Sequence, residues 1–231
     1  YDEPFADSSQ IPTYLVSQAA KQKVTVALSG DGGDEIFGGY NRYFWAPDIW
    51  NKISWMPLGV RKILASLVLS IPISGWSAIG KINNILRPGV AGISALGDKA
   101  HKLSDRLKNV HNIDDLFLSL VTEWQDPTLL IQDYVKDDDT VSSFPIFNQT
   151  PKVLRDNDAA SKMMFWDSLN YLPDDILCKV DRAAMACSLE TRVPFLDHRV
   201  SKIAWQLPTN MKIRGNEGKW PLRQILYRHV P

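Results

Sequence analysis

Cysteine is almost missing from this chain: Cys178 and Cys187 are the only two in 231 residues, too few for a disulfide framework or a thiolate metal cluster. On one helix their spacing would put them on opposite sides, since nine steps of about 100° make a half-turn. Both therefore read as reduced, buried thiols of a cytoplasmic protein. Net charge is missing as well. The 26 Lys and Arg cancel the 26 Asp and Glu, so no overall field favours a nucleic acid or a membrane surface, and any charge chemistry is local. Long apolar runs are also scarce. The longest uncharged stretch, residues 63–80, reaches the length of a bilayer span only by including Pro72, Gly75, Gly80 and four serines. It reads instead as two short buried helices meeting near Ile71 and Pro72. Tyr1-Asp2-Glu3-Pro4 has no feature of a targeting segment, and the chain is expected to be a fragment.

What is present is 45% hydrophobic and organised by period. Ile11, Tyr14, Leu15 and Ala19 recur at helical spacing, with Pro12 tolerated in a first turn, and predict a helix over 11–22. A strand at about 24–28 follows, then a glycine-rich loop and another helix, the order of one slice of a parallel sheet. Residues 44–135 carry Trp, Leu and Ile at helical spacing, and Leu64, Leu67, Val68 and Ile71 form one predicted core face. Lys136-Asp137-Asp138-Asp139 reads as a solvated loop, and a second helical block is expected over 152–172. No internal repeat or low-complexity tract appears.

The densest local chemistry is VALSGDGGDEIFGGY, residues 26–40, with five glycines and three acids directly after the strand. Open parallel sheets bind ligands at the carboxyl ends of strands, against a helix N-terminus. Gly30, Gly32 and Gly33 let backbone N–H groups approach a phosphate or carboxylate closely. The acids would repel a polyphosphate unless a Mg²⁺ ion intervened, and Mg²⁺ uses one or two carboxylates plus phosphate oxygens. Asp34 is the natural ligand, and Asp31, nearer the strand, can face the reacting centre as a base or electrostatic partner. Composition balances this against a plainer role, in which Asp34 and Glu35 only cap the next helix for roughly 0.3–1 kcal/mol each. Gly38-Gly39 implies close packing or an early helix end.

Two basic features complete the candidates. If Asp174-Asp175 caps a helix running to about Ser188, Lys179 and Arg182 share a face that either holds an anionic leaving group or is solvated beside Asp175 and Asp181. Lys219, in the polar stretch 214–221 before a helix over 221–227, either closes over a substrate or only solvates.

Taken together, residues 2–18, 26–43, 172–197 (LPDDILCKVDRAAMACSLETRVPFLD) and 218–231 (GKWPLRQILYRHVP) resemble, in the right order, the synthetase domain of glutamine-hydrolysing asparagine synthetases and their β-lactam synthetase relatives. Residues 44–150 resemble the family only in being helical. The resemblance implies a predominantly α-helical fragment of an α/β (adenine nucleotide α-hydrolase-like) synthetase domain with one or two parallel strands. It would be one partial domain over 1–231: 1–43 at the nucleotide site, 44–150 variable, 151–231 closing the site. The implied reaction is ATP-dependent: a carboxylate, aspartate in asparagine synthetases, attacks the α-phosphorus to give an acyl-adenylate and magnesium pyrophosphate. Ammonia from glutamine then displaces AMP.

Carried onto matching positions, Ser29 and Gly30 contact the nucleotide with Gly32 and Gly33. Asp34 serves the metal, Asp31 and Lys219 the chemistry, and Lys179, Asp181 and Arg182 line the same pocket. Asp31 stands where asparagine synthetases carry Glu and the β-lactam branch Tyr, which leaves the acceptor open to another carboxylate of polysaccharide or natural-product pathways. The family's Ser-Gly-Gly-x-Asp-Ser loop occurs nowhere in the sequence and is expected upstream of Tyr1, as is the glutaminase domain. The fragment is therefore expected to be inactive alone. A homodimer is compatible with this reading, and a non-catalytic helical assembly module is the alternative from another class.

Overall fold

The computed structural model describes residues 5–72, 110–122 and 158–230, with positions 75–76, 97, 100–101, 104, 108, 150–151 and 154 between them. The acids at 137–139, much of the later part of the expected helical stretch 44–135 and most of the start of the expected block 152–172 lie outside the described residues. The chain divides into two compact units, residues 1–45 with 135–231, and residues 46–134.

In the first unit, helix α1 (Gln10–Lys21) leads into strand β1 (Val26–Leu28). The strand is shorter than expected because the Val24 N–H is still spent on the Ala20 carbonyl, closing the helix at 3.0 Å. β1 pairs in parallel with β2 (Glu190–Arg192), Val26 opposite Glu190 and Leu28 opposite Arg192. Helix α2 (Gly33–Phe37) follows the loop. Its buried Ile36 and Phe37 form a small core with Ala204, against Phe195, Val200, Trp205, Leu207 and Leu222. Phe37 meets the Phe195 ring edge-on at 5.9 Å.

Helix α6 (Ala159–Leu169) gives way to a π-helical segment, Tyr171–Leu177, which runs into α7 (Cys178–Met185). Asp174-Asp175 therefore does not cap a helix. The Asp174 N–H already bonds the Asn170 carbonyl at 2.9 Å, so both acids sit inside a helical run. α1 packs along α7. After a 3₁₀ turn at Pro194–Leu196 come α8 (His198–Gln206), α9 (Thr209–Lys212) and α10 (Trp220–Leu226).

The second unit holds most of α3 (Arg42–Ile53), α4 (Leu58–Ser70) and α5 (Ile113–Val121). α4 ends before Pro72, as expected, with Ile71 extended. Its expected core face is wrong, however. Leu64 and Leu67 are 45% and 58% exposed, while Arg61 and Ala65 are buried. Arg61 explains the rotation: its guanidinium donates to the carbonyls of Val110 at 2.7 Å and Met56 at 3.1 Å, and so fixes that side of the helix inward. Among the described residues no single helix is long and apolar enough to cross a membrane.

Candidate functional site

The glycine loop is built from the strand outward. The parallel ladder continues one residue past β1, where the Ser29 N–H meets the Arg192 carbonyl at 2.8 Å. The Ser29 hydroxyl then donates to the Asp31 carboxylate, so the two expected site residues are already partnered. Gly32, at φ +78°, starts α2, and a Cβ there would strike the Leu196 side chain at 2.9 Å. The loop thus lies directly on the turn that follows β2. Gly38, at φ +69°, ends α2 after barely more than one turn.

The second loop crosses the first at this point. A Cβ on Gly218 would run into the Gly38 carbonyl, and one on Gly39 into the Asp34 carboxylate and the Lys219 side chain. The Lys219 N–H donates to the Phe37 carbonyl at 3.1 Å, with Lys219 itself in the left-handed region at φ +55°. That crossing delivers the Lys219 ammonium to Asp34 Oδ1 at 2.8 Å, both side chains about one-third exposed at 32%. Asp34 thus pairs with a cation 185 positions later while still lying in the first turn of α2. The polar stretch before α10 contains a tight turn: Arg214 and Glu217 exchange backbone bonds at 2.9 and 3.0 Å.

Lys179 sits in a different setting from the solvated face that its spacing allowed. It is 8% exposed, and its ammonium donates to Asp7 Oδ2 at 2.5 Å and to Ser9 Oγ at 2.8 Å. Burial works against its charge, but the bond to Asp7 and the fields of Asp7 and Asp175 outweigh burial and raise its pKa. Burial likewise works to raise the Asp7 carboxyl, yet bonds from Lys179 and Ser9 prevail and hold it at about 2. Asp175 is raised by burial and by the negative charge of Asp7.

A buried polar network joins this cluster to the loop. Tyr40 donates its hydroxyl to Glu35 Oε1 at 2.6 Å, and its ring meets that of Tyr171 edge-on at 5.8 Å. Burial raises the pKa of Glu35, with the Tyr40 bond opposing. The Arg42 guanidinium lies 4.2 Å from the Tyr40 ring centroid and 5.2 Å from that of Tyr171, and pairs with the buried Asp167 at 2.8 Å. Tyr43 donates to the same Asp167 oxygen at 2.5 Å.

A family model described as Asparagine synthase matches residues 1–231, the whole chain. The chain belongs to the asparagine synthase family. It is 32% identical over 232 residues to asparagine synthetase [glutamine-hydrolyzing] 1 of Bacillus subtilis, covering 100% of this chain and 32% of that protein. A putative asparagine synthetase [glutamine-hydrolyzing] of Mycobacterium bovis is 32% identical over 231 residues, 100% of this chain and 31% of its own. A shorter match to putative asparagine synthetase [glutamine-hydrolyzing] 2 of Methanocaldococcus jannaschii reaches 70% identity over 40 residues, 17% of this chain and 8% of that one. The chain thus spans about a third of the length of the first two curated relatives. No solved structure matches it.

Of the residues singled out in the sequence, the fold brings Ser29 to Asp31 and Asp34 to Lys219. Gly32 and Gly33 are buried beneath the loop, Gly30 is exposed, and Arg182 is half-buried one helical step beyond Lys179. Asp181 is exposed, and its side chain makes no hydrogen bond or ion pair among the described residues. Sequence reasoning missed Asp7 and Ser9 as partners of Lys179, and Tyr40 and Tyr171 as the link between the two clusters. The available signal for the first pair was Asp7-Ser8-Ser9 ahead of a helix, a run of N-terminal capping residues.

Proposed function

We propose that this chain supplies one wall of the nucleotide site of a synthetase domain with an adenine nucleotide α-hydrolase-like fold. On this reading residues 1–231 are part of one such domain, in which 44–150 is a variable helical region. The whole protein makes asparagine from aspartate, with ammonia from glutamine, in the cytoplasm. The aspartate carboxylate attacks the α-phosphorus of ATP, pyrophosphate leaves, and ammonia displaces AMP from the β-aspartyl adenylate. The Asp34–Lys219 pair carries the reading: a carboxylate and an ammonium from distant loops meet at the end of a strand, where a phosphate chain and its counter-ion need both signs.

Asp34 is one-third exposed and has only Oδ1 on the Lys219 ammonium, so Oδ2 could serve Mg²⁺, an ion that takes most of its ligands from water and phosphate. Bound there, the ion would neutralise charge on the departing pyrophosphate. Lys219 neutralises charge on the phosphates undergoing substitution, and Gly30, Gly32 and Gly33 let backbone N–H groups approach the nucleotide. Asp31, fixed by the Ser29 hydroxyl, faces the acyl centre. Lys179 and Arg182 add positive charge beside the same pocket, with Asp181 at its rim.

The test is the full-length protein with Mg²⁺-ATP, ammonia and a panel of carboxylic acids. Asparagine formed from aspartate supports the proposal. An amide formed from another acid alone moves the acceptor, as Asp31 in place of the family's Glu would favour, and failure to release pyrophosphate with any of the acids leaves only a non-catalytic module.

A further inference from the structure

Lys179 needs an explanation that its own helix does not provide. A lysine on α7 facing a phosphate site would ordinarily be a flexible, strongly hydrated charge with several rotamers. Here it is almost fully buried, and it is reached by a segment 172 residues earlier in the chain. That segment is also held by bonds of its own. The Asp7 carbonyl accepts from the Gln10 N–H at 3.1 Å, Asp7 Oδ1 accepts from the Ser9 N–H at 2.8 Å, and the Ser9 hydroxyl donates to Asp7 Oδ2 at 2.8 Å. The Gln10 side chain also donates to the Phe5 carbonyl at 3.2 Å. Local bonds thus fix the Asp7 carboxylate at the entrance of α1, where it meets Lys179 and, four residues before that lysine in the chain, Asp175.

We propose that Asp7, assisted by Ser9, is the positioning residue that sets the place and charge of Lys179 relative to the glycine loop. This rests on the reading of Lys179 as a cation of the nucleotide site. The physical content is preorganisation: an ammonium already held by a carboxylate and a hydroxyl does not have to be ordered when the substrate binds. The route to the loop runs through rings. Tyr171, on the π-helical segment, lies in the fields of Lys179, Asp175 and Asp7, and its ring contacts Tyr40, whose hydroxyl holds Glu35 next to Asp34. Lys179 and Asp34 are thus linked through the Tyr171–Tyr40 ring contact, the first by its field and the second through the neighbouring Glu35. Asp7 touches neither nucleotide nor acceptor in this scheme; it acts through Lys179.

The experiment has two arms on the full-length protein. In the first, wild type, Asp7→Asn and Ser9→Ala are treated briefly with an amine-acylating reagent, and the peptide carrying Lys179 is quantified by mass spectrometry against exposed Lys23. Asp7→Asn is expected to raise Lys179 labelling several-fold, and Ser9→Ala less, with Lys23 unchanged. Labelling equal to wild type in both variants overturns the proposal. Ser9→Ala leaves the carboxylate in place and keeps this arm decisive if Asp7→Asn folds poorly.

The second arm compares ATP-dependent pyrophosphate release by Asp7→Asn, Asp7→Glu, Lys179→Met and the Asp7→Asn/Lys179→Met double variant. Asp7→Asn is expected to lose about 10- to 100-fold in kcat/KM, with partial recovery in Asp7→Glu. No further loss is expected once Lys179 is gone, because the two act as one unit. Losses that simply multiply would give Asp7 a role independent of Lys179 and overturn the assignment. If wild type shows no ATP-dependent turnover, the functional reading fails while the labelling arm still decides whether Asp7 holds Lys179.

Discussion

Asp34 and Lys219 share one ion pair but are assigned different tasks, and that difference can be measured. Each side chain is 32% exposed in the 2.8 Å contact, so the pair contributes only about 0.5–1 kcal/mol to stability. Asp34 also lies in the first turn of α2, where an acid adds roughly 0.3–1 kcal/mol. Asp34→Asn should therefore cost about 1–2 kcal/mol in urea unfolding and Lys219→Met about 0.5–1 kcal/mol, the double variant being less than the sum because the pair can be lost only once. Turnover should separate them far more. Losing the metal-binding carboxylate should reduce pyrophosphate release by at least about 100-fold, close to 2.7 kcal/mol in the barrier, and raise the Mg²⁺ concentration needed. Lys219→Met should slow turnover with the Mg²⁺ dependence in place. Identical Mg²⁺ profiles for the two variants would refute the reasoning, since Asp34 would then act only by holding Lys219.

Gly218→Ala would push a methyl group into the Gly38 carbonyl, so the crossing loops must part; a loss of about 1–3 kcal/mol by thermal unfolding and a drop in turnover are expected. Asp167→Ala leaves the Arg42 charge buried without its carboxylate and should cost about 3–5 kcal/mol in urea unfolding, far more than any change at Asp34. Burial outweighs the favourable field of Asp158 and pushes Lys212 from 10.5 down to about 8. Between these pH values the unfolded chain binds more protons than the folded one, so stability should rise with pH across that window, by at most about 3 kcal/mol. Urea midpoints from pH 7.5 to 10.5 should rise less steeply in Lys212→Met.

Those parts of the site were readable whose chemistry is local. The loop after β1 announced itself because glycines and acids cluster within a few positions, and Gly38-Gly39 signalled the early end of α2. The pairing of Asp34 with Lys219 was not readable, because it depends on two glycines, Gly39 and Gly218, each giving room to the other's loop. β2 escaped notice for a related reason. Glu190-Thr191-Arg192 has no apolar alternation, and its strand character comes from the partner that it lies against. On α4 the hydrophobic period was a poor guide because one arginine, bonded to two backbone carbonyls, set the rotation against it. Lys179 shows the same limit: helical spacing gives its angular position but not the carboxylate waiting there.

The π-helical segment Tyr171–Leu177 acts as a phase adjuster between α6 and α7. A residue turns about 100° in an α-helix and about 80° in the wider π-helix, so letting the whole segment tighten to α-helical pitch at its present length would turn Lys179 and Arg182 by about a third of a circle relative to Asp167. The wide pitch within 171–177 is therefore what aims α7: a change that lets the segment tighten at full length would misaim the whole helix, where most substitutions at exposed positions of the segment would pass unnoticed.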